Sequence, residues 1–99
     1  MSSPEERIAR QALAIRTKQQ LVELSRDIQK WQGRVERSRT EGREDLVIAA
    51  EQRVQELVER GRRLWDQMQG LLTPEERFQQ LEVDQELEQL KQQFKSSRS

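Results

Sequence analysis

The sequence predicts an all-α protein, a long antiparallel helical hairpin (coiled coil) with a shorter third helix. Of its 99 residues, 36% are charged and only 32% are hydrophobic. Such a composition is typical of long solvent-exposed helices and leaves too little apolar material for a thick globular core. Apolar residues also recur at alternating spacings of three and four, in two patterns that flank the polar stretch 40–46. A second helix-start motif follows the second pattern.

The first helix is predicted over residues 4–39. Ser3 can cap it, Pro4 suits the first helical position, and Glu6 stands where it can close a capping box. An early apolar stripe precedes a seam at spacings of three and four; the stripe is Ile8, Ala12 and Ile15, and the seam is Leu21, Leu24, Ile28, Trp31 and Val35. Because the stripe is displaced around the helix from the seam, we expect it to face a different neighbour.

A tip over residues 40–45 is predicted to lead into a second helix over 46–72. Gly42 can adopt a positive φ behind the first helix, and Glu44 and Asp45 suit the positive end of the second. The predicted seam of this helix is Leu46, Ala50, Val54, Leu57, Gly61, Leu64, Met68 and Leu71. Further apolar residues widen it on one flank and indicate a second neighbour; with one residue of the third helix they form a candidate interface of Val47, Val58, Trp65, Leu72 and Phe78.

The two seams match each other in register. Residues that face each other across an antiparallel hairpin have numbers with a nearly constant sum. Val35 with Ala50 and Ile28 with Leu57 share one sum, which centres the hairpin between Gly42 and Arg43. The same sum pairs Leu24 with Gly61, where we expect the small residue to let the two backbones approach.

The start of the third helix repeats the start of the first, since Thr73-Pro74-Glu75-Glu76 copies Ser3-Pro4-Glu5-Glu6. This motif predicts a helix over 74–94. Its looser apolar stripe is Phe78, Leu81, Val83, Leu87, Leu90 and Phe94. Residues 95–99 have nothing to bury, so we predict a disordered tail and a single helical domain over 1–99.

The chain has no Cys and no His, and therefore lacks thiolate ligands, imidazole ligands and the commonest general base. We predict no enzymatic activity, no metal, no cofactor and no small-molecule substrate. The acidic pairs at residues 44–45 and 75–76 could act as paired carboxylates, but their places at helix starts favour capping. Trp31 and Trp65 could stack on a ligand, although seam positions are typical of core anchors. Arg60, Arg62 and Arg63 could bind phosphate, although the interleaved acidic residues favour surface ion pairs.

The charge distribution bears on partners. Residues 1–39 carry nine Lys or Arg against five Asp or Glu, while residues 40–99 carry nine against thirteen. This asymmetry favours arms that fold on each other or on another copy, and disfavours nucleic-acid binding. We expect a homo-oligomer or a helical protein partner. With no apolar run near 18 residues and no signal sequence, we expect a cytoplasmic protein, with contact to a membrane surface through the basic amphipathic first helix left open.

The tip motif Gly42-Arg43-Glu44-Asp45-Leu46, with Ala49 and Ala50 behind it and Trp31 ahead of it, resembles the phage shock protein A family (PspA/IM30, Vipp1). The resemblance covers roughly residues 11–64. It implies a helical hairpin and peripheral association with membranes. Short relatives with this tip are associated with hercynine metabolism loci in photosynthetic bacteria, so the resemblance also implies a hercynine-related role.

The function predicted from the sequence is that of a non-enzymatic coiled-coil scaffold or self-associating adaptor. Peripheral membrane binding, in stress response or membrane maintenance, is the alternative. The matched seams and the second apolar flank support the first function, and the tip motif with the basic first arm supports the second.

Overall fold

The computed structural model describes residues 3–96, without the side chains of Leu81, Val83 and Ser96. Its helices are α1 (Pro4–Thr40), α2 (Glu44–Gly70), α3 (Pro74–Val83) and α4 (Gln85–Lys91), and α4 continues into a π-helical turn at Gln92–Ser96. The two long helices pack against each other as a hairpin with extents of 58 × 21 × 20 Å. The predicted all-α hairpin is therefore confirmed.

Short-range hydrogen bonds close both ends of α1. The Ser3 hydroxyl accepts from the Glu6 N–H (3.1 Å), and the Glu6 carboxylate accepts from the Ser3 N–H (3.4 Å), which completes a capping box. At the tip, Gly42 has a φ of 70°. The Arg43 N–H donates to the Ser38 carbonyl at 2.9 Å, as in a Schellman motif. The glycine therefore allows the reversal that the sequence predicts.

Two apolar clusters hold the hairpin together. The larger one combines α1, α2 and α4 through the buried residues Ala14, Leu21, Leu24, Ile28, Leu57, Trp65, Met68, Leu72, Leu87, Leu90 and Phe94. The smaller one lies near the tip and consists of Val35, Val47 and Ala50. Trp31 and Val54 are half-buried and pack against both clusters. Near the tip, the core is thus formed by α1 and α2 alone, whereas farther from the tip α4 also contributes to it.

The buried face of α2 is rotated from the predicted seam. Val47, Trp65 and Leu72 are buried in the core, whereas Leu46 is 42% exposed and Leu64 is half-buried. These three members of the candidate interface are therefore not an open flank. The predicted second neighbour of this flank is part of the same chain, because Trp65 and Leu72 share the larger cluster with α4. We call α4 with its π-helical turn, residues 85–96, the third segment. Burying Trp65 removes more apolar area from water than burying its neighbour Leu64 would, and this difference favours the rotation.

The early stripe of α1 is also placed differently from the prediction. Ile8 and Ile15 are 62% and 56% exposed, and Ala14 and Thr17 take the buried positions. The Thr17 hydroxyl donates to the Leu13 carbonyl at 2.9 Å, so its burial leaves that donor satisfied. The apolar side chains of the stripe remain on the surface.

Gly61 makes room for an aromatic side chain. A Cβ built on Gly61 would overlap the ring of Phe94. Phe94 is fully buried, so its ring occupies the space above the glycine. The glycine thereby allows the π-helical turn to dock on α2, a role that the sequence does not predict, and the close approach to Leu24 stays a prediction.

Asp84 divides the predicted helix 74–94 into α3 and α4. Its backbone is extended (φ −123°, ψ 94°), and its carboxylate accepts from the Leu87 N–H at 3.1 Å as the cap of α4. Lys18 Nζ lies 2.5 Å from Asp84 Oδ2 and 3.4 Å from Glu86 Oε1. Burial opposes ionisation of Asp84, but the hydrogen bonds from Lys18 and the Leu87 N–H outweigh it and lower the pKa of this carboxyl. The break is thereby tied to α1.

The third segment continues beyond its predicted end. Lys95 and Ser96 belong to the π-helical turn, and Lys95 Nζ lies 2.9 Å from Asp66 Oδ1. Lys95 and Ser96, which are predicted to lie in the tail, are therefore helical, and an ion pair joins Lys95 to α2. The rest of the predicted tail, 97–99, lies outside the described residues.

Candidate interaction surfaces

The hairpin tip is a small charged surface. Arg43 and Asp45 are well exposed, with Arg43 Nε 3.8 Å from Asp45 Oδ1. Glu44 and Asp45 occupy the first turn of α2, where they complement the helix dipole without a side-chain cap. The tip residues 42–46 therefore form the turn and expose charged side chains, and Leu46 at the end of this stretch is partly exposed.

An open groove lies between α1 and α2 on the tip side of Phe94, and we call it the tip groove. Its volume is about 610 Å³. Its floor is apolar and consists of Val35, Val54 and Val58. Its rim is polar and charged, and consists of Gln32, Glu36, Arg39, Glu51, Gln55, Glu59 and Arg62. Val58, a member of the predicted interface, is half-buried and thus faces this groove.

Two arginines organise the rim of the tip groove. Arg39 bridges the two helices, with its guanidinium nitrogens 2.8 Å from Glu36 and 2.9 Å from Glu51. Arg62 lies 2.6 Å from Glu59 and also donates to the Phe94 carbonyl at 3.2 Å. Of the predicted arginine cluster 60–63, Arg62 thus takes part in ion pairing, as the interleaved charges indicate.

A group of exposed apolar side chains lies far from the tip, at the start of α1 and on α3. Phe78 is 68% exposed and is the most accessible member of the predicted interface. Ile15 and Leu72 line a shallow groove between α1 and α3, with a volume of about 500 Å³. This end of the molecule is therefore the second surface on which a partner can find apolar area.

Glu76 joins α3 to α1 at that end. Its carboxylate accepts from the Thr73 N–H (2.8 Å) and from the Gln11 amide (2.5 Å), and Arg10 lies 3.5 Å away. The Thr73 backbone hydrogen bond, together with the Gln11 amide, lowers the pKa of Glu76 to about 2. One carboxylate therefore serves as a cap and as a contact between helices.

Replacing Glu76 with Gln is expected to reduce stability by about 1 kcal/mol at neutral pH, since the hydrogen bonds to a charged acceptor weaken. A carboxyl whose folded pKa is depressed stabilises the fold above its unfolded pKa. The difference between wild type and Glu76→Gln should therefore shrink as pH falls from 4.5 to about 2. Urea denaturation across this range measures it, with the exposed neighbour Glu75→Gln as the control. Parallel pH profiles for wild type and Glu76→Gln would contradict the assignment.

Sequence reasoning missed the tip groove because it assigned the valines of the floor to the seam and its flank. The sequence of α2 nevertheless contains a signal for a polar rim beside these valines. Glu51, Glu59 and Asp66 follow one another at spacings of eight and seven. Such spacing keeps them along one side of α2.

The fold and these surfaces define a small all-α hairpin protein whose third segment fills one groove of the hairpin only in part. Residues 2–99 match the protein family described as hercynine metabolism protein, and the chain belongs to that family. No curated protein and no solved structure matches the chain. Among the helices of residues 3–96, none is long and apolar enough to cross a membrane. The family match supports the hercynine-related role that the resemblance implies, while the likeness to the phage shock protein A family stays a prediction.

Proposed function

We propose that the protein serves hercynine metabolism as a non-enzymatic helical adaptor, which binds another protein through its hairpin. The observation that carries this proposal is the tip groove, whose apolar floor lies open between two helices that are otherwise packed. Helix-in-groove docking is a common mode of protein recognition. The metabolic context of this proposal comes from the family, and the tip groove is the surface to which the other protein would bind.

The placement of the aromatic side chains supports protein contact over direct binding of hercynine. Hercynine carries a trimethylammonium group, which proteins commonly hold in a cage of aromatic rings. Trp65 and Phe94 are buried in the core, and Phe78 stands on the surface. Trp31 is half-buried with the guanidinium of Arg34 4.3 Å from its ring centroid. These four are all the aromatic residues of the chain, and none of them lines either of the two grooves described above.

The test combines the protein with purified hercynine-metabolising enzymes of the same genome. Size-exclusion chromatography with light scattering is expected to show a complex with one of them, and the protein alone provides the reference mass. Calorimetry with hercynine alone is expected to show no binding. Binding of hercynine without any enzyme complex would sink the adaptor function. A mass above that of the monomer for the protein alone would assign the self-associating form of the scaffold.

A second candidate function is peripheral membrane binding, which the resemblance to the phage shock protein A family implies. The exposed Ile8 and Ile15 on the basic α1 favour it, because interfacial helices combine apolar and basic side chains. Flotation with vesicles that contain anionic lipid, at low salt, is the measurement. Binding should be lost in the double variant Ile8→Glu, Ile15→Glu. Absence of wild-type flotation removes this candidate.

A further inference from the structure

The tip groove continues the path along which the third segment lies. That segment packs between α1 and α2 and ends with Phe94 over Gly61 and Lys95 on Asp66. Arg62 donates to the Phe94 carbonyl and also lines the groove, so the groove begins beside the last described residues of the segment. Beyond this point, the same two helices continue toward the tip with their shared side uncovered by α4 or its π-helical turn.

The dimensions and the floor of the tip groove suit a helix. Its α2 lining runs from Glu51 to Arg62, which is roughly 16 Å at 1.5 Å per residue, or about three helical turns. Apolar side chains at spacings of three and four cover such a valine floor. The chain's own segment does this farther down with Leu87, Leu90 and Phe94. Residues 97–99 carry no apolar side chain that could do the same.

The α2 rim of the groove carries the carboxylates of Glu51 and Glu59, together with Gln55 and Arg62. Asp66, which is paired with Lys95 of the third segment, lies on the same side of α2 just outside the groove. Of the two rim carboxylates, Glu51 is paired with Arg39 across the groove. Glu59 is 51% exposed although it pairs with Arg62, so its carboxylate remains accessible to a second cation. A basic side chain on a docked helix can therefore repeat on Glu59 the contact that Lys95 makes on Asp66.

From this continuity of path, floor and charge, we infer that the tip groove docks an amphipathic helix of a partner protein. The helix places apolar side chains on the valine floor and Lys or Arg side chains along the α2 rim. This inference rests on the proposed adaptor function and specifies the surface and the chemistry of the partner.

The test uses the full chain and two labelled helical peptides of equal length and equal leucine stripe. One carries Lys along one edge of the stripe, and the other carries Glu there. Fluorescence anisotropy is expected to show tighter binding of the Lys peptide. The variant Glu59→Lys should raise its Kd about threefold to tenfold. Val58→Glu, which puts a charge on the floor, should abolish binding, with circular dichroism as the check that helices persist.

Glu56→Lys is the matched control. Glu56 lies on the same helix, is 58% exposed and pairs with Arg53 as Glu59 pairs with Arg62, but it does not line the groove. Its replacement should leave the Kd unchanged within about twofold, because exposed pairs outside the site contribute little. Equal binding of the two peptides, or equal losses in Glu56→Lys and Glu59→Lys, would overturn the inference.

Two further outcomes separate the docking site from the adaptor function. A protein dimer that dissociates in Glu59→Lys would show that a second copy fills the groove, and would overturn the inference. An enzyme complex that survives both Glu59→Lys and Val58→Glu would likewise overturn the docking site while the adaptor function stands. Peptide binding that follows the expected pattern, without any enzyme complex, supports the site and counts against the function alone.

Discussion

Phe94→Ala is expected to lower the free energy of unfolding by about 3 to 4 kcal/mol, the typical loss for a large buried aromatic side chain. Phe94 is fully buried and is the last apolar side chain that holds the third segment to the hairpin. Without its ring, the π-helical turn should leave α2 and expose the C-terminal part of α4 to proteases. Urea denaturation followed by circular dichroism measures the loss, and limited proteolysis locates it.

Gly61 provides the internal control for this prediction. In the native background, Gly61→Ala should destabilise the protein, because the added Cβ overlaps the Phe94 ring. In the Phe94→Ala background, the same change should stabilise it by up to about 1 kcal/mol, since Ala is the better helix former. A double-mutant cycle shows this change of sign. If Gly61→Ala acts in the same direction in both backgrounds, Phe94 does not occupy the space above Gly61.

Ile28→Ala should cost about 3 kcal/mol, whereas Ile48→Ala should change stability by less than about 0.5 kcal/mol. Ile28 is 0% exposed and lies in the larger cluster, while Ile48 is 61% exposed on α2. The two substitutions remove the same atoms from a helix, so their difference reports burial. Urea midpoints at constant m-value are the measurement. Similar costs at the two positions would show that the seam does not pass through Ile28.

The features that could be predicted from the sequence depend on short-range signals or on register. Ser3 with Glu6 and Thr73 with Glu76 form the capping boxes that their spacing predicts. Gly42 takes the positive φ that a Schellman turn requires. Each of these signals acts within a few residues, so the surrounding fold does not change its meaning. The pairing of Ile28 and Val35 with α2 follows from the same regularity.

The rotation of α2 could not be predicted, because its apolar residues occur as neighbours in the chain. Val47 follows Leu46, Trp65 follows Leu64, and Leu72 follows Leu71. Either member of each pair can face α1, and for Trp65 and Leu72 the choice depends on the side chains that α4 packs against them. A pattern of spacings leaves that long-range choice open.

The break at Asp84 and the role of Gly61 also depend on distant residues. Asp84 caps α4 through a local hydrogen bond, but its ion pair with Lys18 ties the break to α1, 66 positions earlier in the chain. Gly61 is required because Phe94, 33 positions later, occupies its space. The tip groove lies beside Phe94, beyond the described part of the third segment. None of these contacts can be inferred from the local pattern. The hercynine context, which the resemblance of the tip implies, is supported by the family match.

The unequal division of the core has a consequence for how the molecule opens. The larger cluster unites three helical segments, while the smaller cluster of Val35, Val47 and Ala50 joins only two. Amide hydrogens near the tip should therefore exchange with solvent through local opening, and those around Ile28 only through global unfolding. The end of the hairpin near the tip can therefore open while the larger cluster stays folded. A helix bound in the tip groove should slow amide exchange near the tip before it changes amide exchange around the larger cluster.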